Sequence, residues 1–182
     1  YTKNSNYIFA KTAAAFEKLN LNIQGARIFT SDNDYCMDTY TVLEASGKPV
    51  GENPKRLAEI EKVVTQYLNS DMETISPSRI RRTRKDKYFS HTIDINWLNS
   101  PNRDYSTVEI NCPDQSGILA SIGKTFAEHQ INLRDARITT LGERVEDLFF
   151  VTDQSNKPIG DKDLIAKIIS ELKIGLEQRL DT

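Results

Sequence analysis

The sequence predicts an α+β fold made of two copies of one small unit, and three observations predict it. The first is that the 182-residue chain repeats itself. "LNIQGARIFT" (Leu21 to Thr30) aligns with "INLRDARITT" (Ile131 to Thr140): Asn22 falls on Asn132, and Ala26, Arg27, Ile28 and Thr30 fall on Ala136, Arg137, Ile138 and Thr140. Upstream, Ala10 matches Ala120 and Phe16 matches Phe126; past a one-residue gap, Asp38 matches Asp147, Val42 matches Val151, and "SGKPVG" matches "SNKPIG". The second is the period, which is far longer than the ~20–50 residues of a solenoid repeat, so the copies are tandem domains. The third is the element order. Segments of period-two alternation and of helical spacing follow one another as β-α-β-β-α, one strand short of the ferredoxin-like βαββαβ pattern.

Each element has its own signal. In the first unit a helix is expected near Tyr7 to Leu19, strands near Asn22 to Thr30 and Met37 to Glu44, and a helix near Pro54 to Leu68, where Pro54 suits a first helical turn. The strand that should open this unit is missing: Tyr1 falls on Asn111, the last residue of the matching strand in the second unit. The sequence therefore reads as a piece of a longer protein that starts inside a domain. "RIRRTRKDK" (Arg79 to Lys87) reads as a solvated basic linker. "YFSHTIDINW" (Tyr88 to Trp97) alternates as a strand and should form an antiparallel hairpin with "STVEIN" (Ser106 to Asn111). Ile118, Leu119, Ile122 and Phe126 then mark an amphipathic helix to about Gln130. "INLRDARITTL" and "EDLFFVTD" are the next strands. Leu164, Ile165, Ile168, Ile169, Leu172 and Leu176 mark the last helix. The second unit has a surplus strand in front and none behind, so Tyr88 to Trp97 is expected to fill the fourth slot at the sheet edge, giving ββαββα. The domains expected are 1–76, a linker 77–87, and 88–182.

Composition narrows the function. Lys and Arg number 24 against 26 Asp and Glu, a net charge of −2; a nucleic-acid binder working by bulk charge would be basic. No apolar run approaches the ~18 residues of a membrane span, and no signal peptide opens the sequence. Cys36 and Cys112 lie far apart without CxxC spacing, so free thiols in a reducing cytoplasmic setting are expected. His91 and His129 have no partners at metal-ligand spacing. GxGxxG, GxxxxGK[ST] and GxSxG are all missing from the sequence. The carboxylates Glu143, Glu146 and Asp147, in the charged middle of "ARITTLGERVEDLFFVTD", read as a solvated hairpin turn. No catalytic site is expected within this chain.

The informative loop is "PDQSGILASIG". Asp114 or Ser116 can cap the helix that follows, whose first N–H groups and dipole suit a carboxylate. Gly117 lets the backbone approach a ligand closely. Asp114 can meet an ammonium group, and Asn132, at the start of the next strand, offers an amide donor and acceptor. Together these groups complement a free α-amino acid. The same residues also serve plain helix capping.

On these residues the chain resembles a known family. "DQSGILASIGKTFAEHQINLRDARITTLGERVEDLFFV" is similar to an ACT domain, a ferredoxin-like module that senses amino acids. "ARITTLGERVEDLFFV", with "AAAFEKLNLNIQGARIFTSDNDYCMDTYTVLEASGKPV" upstream, resembles the C-terminal tandem ACT domains of the bifunctional PII uridylyltransferase/uridylyl-removing enzymes. The resemblance covers essentially the whole chain. It implies a larger protein whose nucleotidyltransferase domain moves UMP from UTP to PII with a divalent metal such as Mg, and whose hydrolase domain removes it. It also implies glutamine, or another free amino acid, as ligand, no cofactor in this chain, and a regulatory role in nitrogen metabolism. The ligand residues it implies are Asp114, Gln115, Ser116, Gly117, Ile118 and Leu119, with Asn132 across the site. The corresponding loop of the first unit, Asn4, Ser5, Asn6 and Tyr7, has neither Asp nor Gly; Asn4, Asn6 and Asn22 are secondary candidates there. The alternatives are a stand-alone amino-acid binder and a structural module that dimerises through its sheets. No nucleic acid and no membrane is expected as partner.

Overall fold

The computed structural model describes residues 2–3, 7–30, 35–71, 92–141 and 144–180. The basic linker expected at 77–87 and the first residues of the strand expected from Tyr88 lie outside them. The elements run β1 (Thr2–Lys3), α1 (Ile8–Lys18), β2 (Leu21–Thr30), β3 (Tyr35–Glu44), α2 (Pro54–Leu68), β4 (Asp94–Asn99), β5 (Ser106–Pro113), α3 (Ile118–Glu128), β6 (Asn132–Arg137), β7 (Thr140–Leu141), β8 (Arg144–Thr152) and α4 (Lys162–Leu180). All strand pairs are antiparallel, in one 8-stranded sheet of order β1-β3-β2-β6-β8-β5-β4, with β7 beside β8. The helices cover one face in the order α2-α1-α3-α4.

The surplus strand takes the expected place. β4 pairs with β5 over Asp94↔Asn111 to Asn99↔Ser106. The second unit is thus a complete four-stranded sheet, β6-β8-β5-β4, with its fourth strand supplied from in front. Side-chain alternation explains the placement: Ile95 faces the core, whereas Asp94 and Asn96 face outward. In the first unit one expectation needs amending. A strand does precede α1, as the two-residue β1, paired Thr2↔Cys36 and Lys3↔Tyr35. The matching pairs in the second unit are Cys112↔Val145 and Pro113↔Arg144, so β1 keeps the register of its counterpart.

The two units meet at equivalent strands. β2 pairs with β6 at Gly25↔Arg137, Ala26↔Ala136 and Arg27↔Asp135. Ala26 and Ala136 are the residues that align in the repeat, so a pseudo-twofold axis passes between them. Both strands carry a register shift at the same point, Ile23/Gly25 in β2 and Leu133/Asp135 in β6. The extra residue raises local twist and turns each edge towards the other.

The axis continues through the helices. α1 lies between α2 and α3, so it is buried on both flanks, and its sequence answers with Ala10, Ala13, Ala14 and Ala15, all buried. Alanine has the highest helix propensity and lets neighbours approach. α3 comes close to α1 at Gly123, where an added Cβ would lie 2.6 Å from Phe9 Cδ1 and 3.1 Å from the Ala10 backbone. Beneath it runs a file of rings: Phe16 on Tyr40 (5.3 Å), Tyr40 on Phe9 (6.4 Å), Phe9 on Phe149 (6.4 Å) and Phe149 on Phe126 (5.6 Å). Phe16 and Phe126 are repeat equivalents, as are Tyr40 and Phe149, so the file reads the same from either end. The buried residues of both units form one continuous core.

The outer helices are held differently. α2 has no fully buried residue and is capped by Asn53, whose side chain accepts from Lys55 N at 3.1 Å. Arg56 anchors it, donating to Glu44 (2.9 Å to each oxygen), to Glu59 (2.9 Å) and to the Leu19 carbonyl (2.8 Å). The "SNKPIG" loop latches the second unit: Ser106 Oγ accepts from Ile159 N (2.9 Å), and Asn99 Nδ2 donates to Ile159 O (2.8 Å).

Candidate functional site

The loop between β5 and α3, with the first turn of α3, holds six of the sequence-derived candidates. Gly117 is the residue before the helix, at φ 77° and ψ 6°. This left-handed conformation costs an ordinary L-residue roughly 1–2 kcal/mol, and glycine almost nothing. Neither Asp114 nor Ser116 caps α3, contrary to expectation; the helix has no side-chain cap. Its first-turn N–H groups therefore stand as donors facing the loop. Ser116 is turned the other way. Its Oγ donates to Glu17 Oε1, a half-buried carboxylate on α1 of the first unit. Ile118 is buried and Leu119 packs against the core, so they hold the loop to the sheet. Gln115 is half-buried and Asp114 reaches the surface. Even so, the protein around Asp114 removes enough water to raise its carboxyl pKa.

Asp147 corrects a second expectation. It is not a solvated turn residue: it lies within β8 and is 1 % exposed. Strand alternation places it on the inner face with Val145 and Phe149, opposite Ile110 and diagonal to Cys112 of β5. Oδ1 accepts from Thr139 N at 3.2 Å, and Oδ2 has no hydrogen-bond partner among the described residues. Burial, with a smaller push from Asp114, raises its pKa to about 7 against the lowering effect of the Thr139 N–H. Burial and then Asp147 push the neighbouring Cys112 thiol up to about 12. Glu146 does face solvent, as expected, and Glu143 lies outside the described residues.

The asparagines are distributed by the pseudo-twofold. Asn132 starts β6 and pairs with Thr152 at the end of β8, whereas the loop follows Pro113, which pairs with Arg144 at the start of β8. The nine residues of β8 make that separation about 25–30 Å. Asn132 therefore does not lie across the site from its own unit's loop. Its Nδ2 donates to Asp153 O (3.1 Å) and its Oδ1 accepts from Gln154 Nε2 (3.2 Å), closing the chain after β8. Asn22, its equivalent, is exposed at the start of β2. Because β2 runs antiparallel to β6, Asn22 stands at the sheet end where β6 finishes and β5 hands over to the loop. The seam brings Asn22 and Glu17 of the first unit to the loop of the second. Asn4 and Asn6 lie outside the described residues; Tyr7, which follows them, occupies Gly117's position and takes its conformation at φ 69° and ψ 10°.

Other polar groups have structural employment. His129 Nε2 lies 2.7 Å from Glu171 Oε2, joining the C-terminal end of α3 to α4. Cys36 and Cys112 are buried and are not joined in a disulfide. Among the described residues no group of three His, Cys, Asp or Glu is placed to hold a metal ion. No described helix is long and apolar enough to cross a membrane.

The ACT domain family matches residues 106–172, which run from the first residue of β5 into α4. Residues 106–172 form an ACT domain. Over the whole chain the similarity is to proteins described as bifunctional uridylyltransferase/uridylyl-removing enzymes. The one from Pseudomonas fluorescens is 39 % identical over 187 aligned residues, covering 100 % of this chain and 21 % of that protein. The one from Ectopseudomonas mendocina is 40 % identical over 92 % of this chain and 19 % of its own length. The one from Stutzerimonas stutzeri is 39 % identical over 98 % and 20 %. The chain thus spans about a fifth of the length of the curated relatives it matches. No solved structure matches it.

Proposed function

We propose that this chain is the amino-acid-sensing region of a bifunctional uridylyltransferase/uridylyl-removing enzyme. Its ligand is glutamine, and it governs UMP transfer to, and removal from, a PII protein in the cytoplasm. The two sensing domains are 1–76 and 88–182, joined by the basic linker 77–87. The ligand occupies the loop Asp114 to Leu119 of the second domain, with Glu17 and Asn22 of the first domain lining the other side. Its carboxylate meets the first-turn N–H groups of α3, where unpaired donors and the helix dipole favour an anion. Its ammonium group meets the acidic side of the loop.

One observation carries the reading: the hydrogen bond from Ser116 to Glu17. This contact between the two units supports a ligand bound at their seam. A ligand there has unequal affinity for seam-closed and seam-open arrangements, which is the physical requirement for allosteric control. The identity across the whole chain to enzymes with that activity supports the choice of parent. Calorimetric titration of the chain with glutamine, beside glutamate and alanine, tests it. Saturable heat with glutamine and weaker response to the other two is expected; no heat at millimolar glutamine would sink the reading.

A further inference from the structure

We propose that Asp147 is the buried acceptor for the ammonium group of the ligand, taking it on Oδ2 as a full carboxylate. The inference rests on the loop being an amino-acid site and adds the residue that reads the amine. Asp147 is nine-tenths buried and more, one oxygen is satisfied by Thr139 N, and the other has no partner among the described residues. An isolated carboxylate is costly to bury, and the usual remedy is a hydrogen-bonded countercharge. Position explains where that countercharge would come from. Asp147 is diagonal to Cys112, and the chain after Cys112 passes straight into Pro113 and the loop. Asp114 on the loop is close enough for its charge to act on Asp147.

The groups facing Asp147 supply no substitute for a ligand. Cys112 on β5 is a neutral thiol. Arg144, at the start of β8, bears on Cys112 and donates to the Thr92 carbonyl at 3.3 Å. The buried α3 residues Ile118 and Ile122 are uncharged. The link between β6 and β7 contributes the Thr139 N–H. The first unit keeps an aspartate at the same place, Asp38, whose Oδ2 accepts from the Tyr40 hydroxyl at 3.3 Å. In the second unit Tyr40 is replaced by Phe149, which has no hydroxyl to give. Asp38 also keeps one unpartnered oxygen, but its loop carries Tyr7 where the second has Gly117. The unit with the glycine loop is thus the one whose buried acid lacks an internal side-chain donor.

Binding then moves a proton. Burial holds the carboxyl of free Asp147 up to about 7, so it is partly protonated at neutral pH. The ligand's ammonium keeps its own proton and selects the ionised carboxylate, so the carboxyl proton leaves to buffer. At pH 7 about half a proton is released per ligand bound, and affinity rises about tenfold from pH 6 to pH 8.

The test is calorimetry of the 182-residue chain with glutamine at pH 6, 7 and 8, in two buffers of different ionisation enthalpy. The buffer dependence counts protons. The Asp147→Asn variant, its folding checked by thermal melt, should lose the proton release and bind at least about tenfold more weakly at pH 8. Wild-type binding with no proton exchange, or a variant that binds as tightly as wild type, overturns the proposal while leaving the glutamine site intact. Absence of glutamine binding at every pH overturns the site reading and this inference together. A carbon-13 titration of the wild-type aspartate carboxyls is the second readout: the one titrating near 7 should fall below about 5 when glutamine is bound, and an unmoved titration contradicts the assignment.

Discussion

Replacing Gly123 with alanine tests whether the two units are packed as one body. Two effects compete. In a helix interior the change should gain about 0.8–1 kcal/mol from propensity. Against that, the new Cβ would stand 2.6 Å from Phe9 Cδ1 and 3.1 Å from both the nitrogen and Cα of Ala10. Carbon atoms prefer roughly 3.5–4.0 Å, so the ring is about 1 Å too close and the α1 backbone a few tenths. Phe9 cannot swing away, because it is held between Tyr40 and Phe149. α1 and α3 must separate, and overpacking of this kind costs about 1–3 kcal/mol. The expected net effect is a loss of up to about 2 kcal/mol, or up to roughly 8 °C in melting temperature for a chain of this size. Gly175→Ala is the control. It has the same propensity gain, but its Cβ meets only the rotatable Ser121 hydroxyl at 3.2 Å; it should hold or raise the melting temperature. Differential scanning calorimetry of both variants decides. If the two shift alike, the helices do not meet at Gly123 and the shared core is wrong. Phe9→Leu in the Gly123→Ala background should recover part of the loss, since contacting residues couple.

Asp147→Asn should stabilise the protein at pH 7 and above. The folded pKa, about 7, lies above the unfolded value of 3.8, so the native state holds the proton more tightly. The contribution of Asp147 is then largest below the unfolded pKa and is lost as pH rises to 7, about 4 kcal/mol to order of magnitude. After deducting ~1–3 kcal/mol for a poorly partnered amide, the variant should gain about 1–3 kcal/mol at pH 8 and lose about 1–2 kcal/mol near pH 4 in urea unfolding; equal shifts at both pH values would contradict the burial argument. Arg56→Ala should loosen α2, which has no fully buried residue. Losing its charged hydrogen bonds to Glu44 and the Leu19 carbonyl costs about 1.5–3 kcal/mol, read as faster amide exchange confined to α2; unchanged exchange there speaks against the anchor. Asn22→Ala should weaken glutamine binding by several-fold with little change in melting temperature, while Asn132→Ala should cost about 1 kcal/mol of stability and leave affinity alone. The reverse pattern would return Asn132 to the site.

Much of this was legible in the sequence because the repeat made each half a check on the other. Pro54 opens α2 as expected, and the unplaced strand before the second unit is where topology required a fourth strand. What escaped the sequence depends on contacts between distant residues. Asp147 sits among Glu143, Glu146 and Arg144, and only the fold of β6 and β7 over β8 shows that alternation turns it inward. The partner of Ser116 is 99 residues away. Asn132 aligns with Asn22, but alignment is silent about which unit's loop each one faces; the antiparallel β2–β6 seam decides that. Asp114 and Ser116 are good capping residues by type, yet the left-handed turn at Gly117 leaves neither in a capping position.

The pairing of Ala26 with Ala136 has a quantitative consequence for a sensor. Two separate chains meeting at equivalent edges would associate according to their abundance, and a dilute cell would hold mostly unpaired halves. Here both edges belong to one polypeptide, so their meeting is intramolecular, at an effective concentration that does not depend on the number of copies in the cell. The seam therefore forms at the same strength in a cell with few copies as in one with many. Under the proposed function, what shifts its balance is the ligand, and the reading is then independent of how much of the protein has been made.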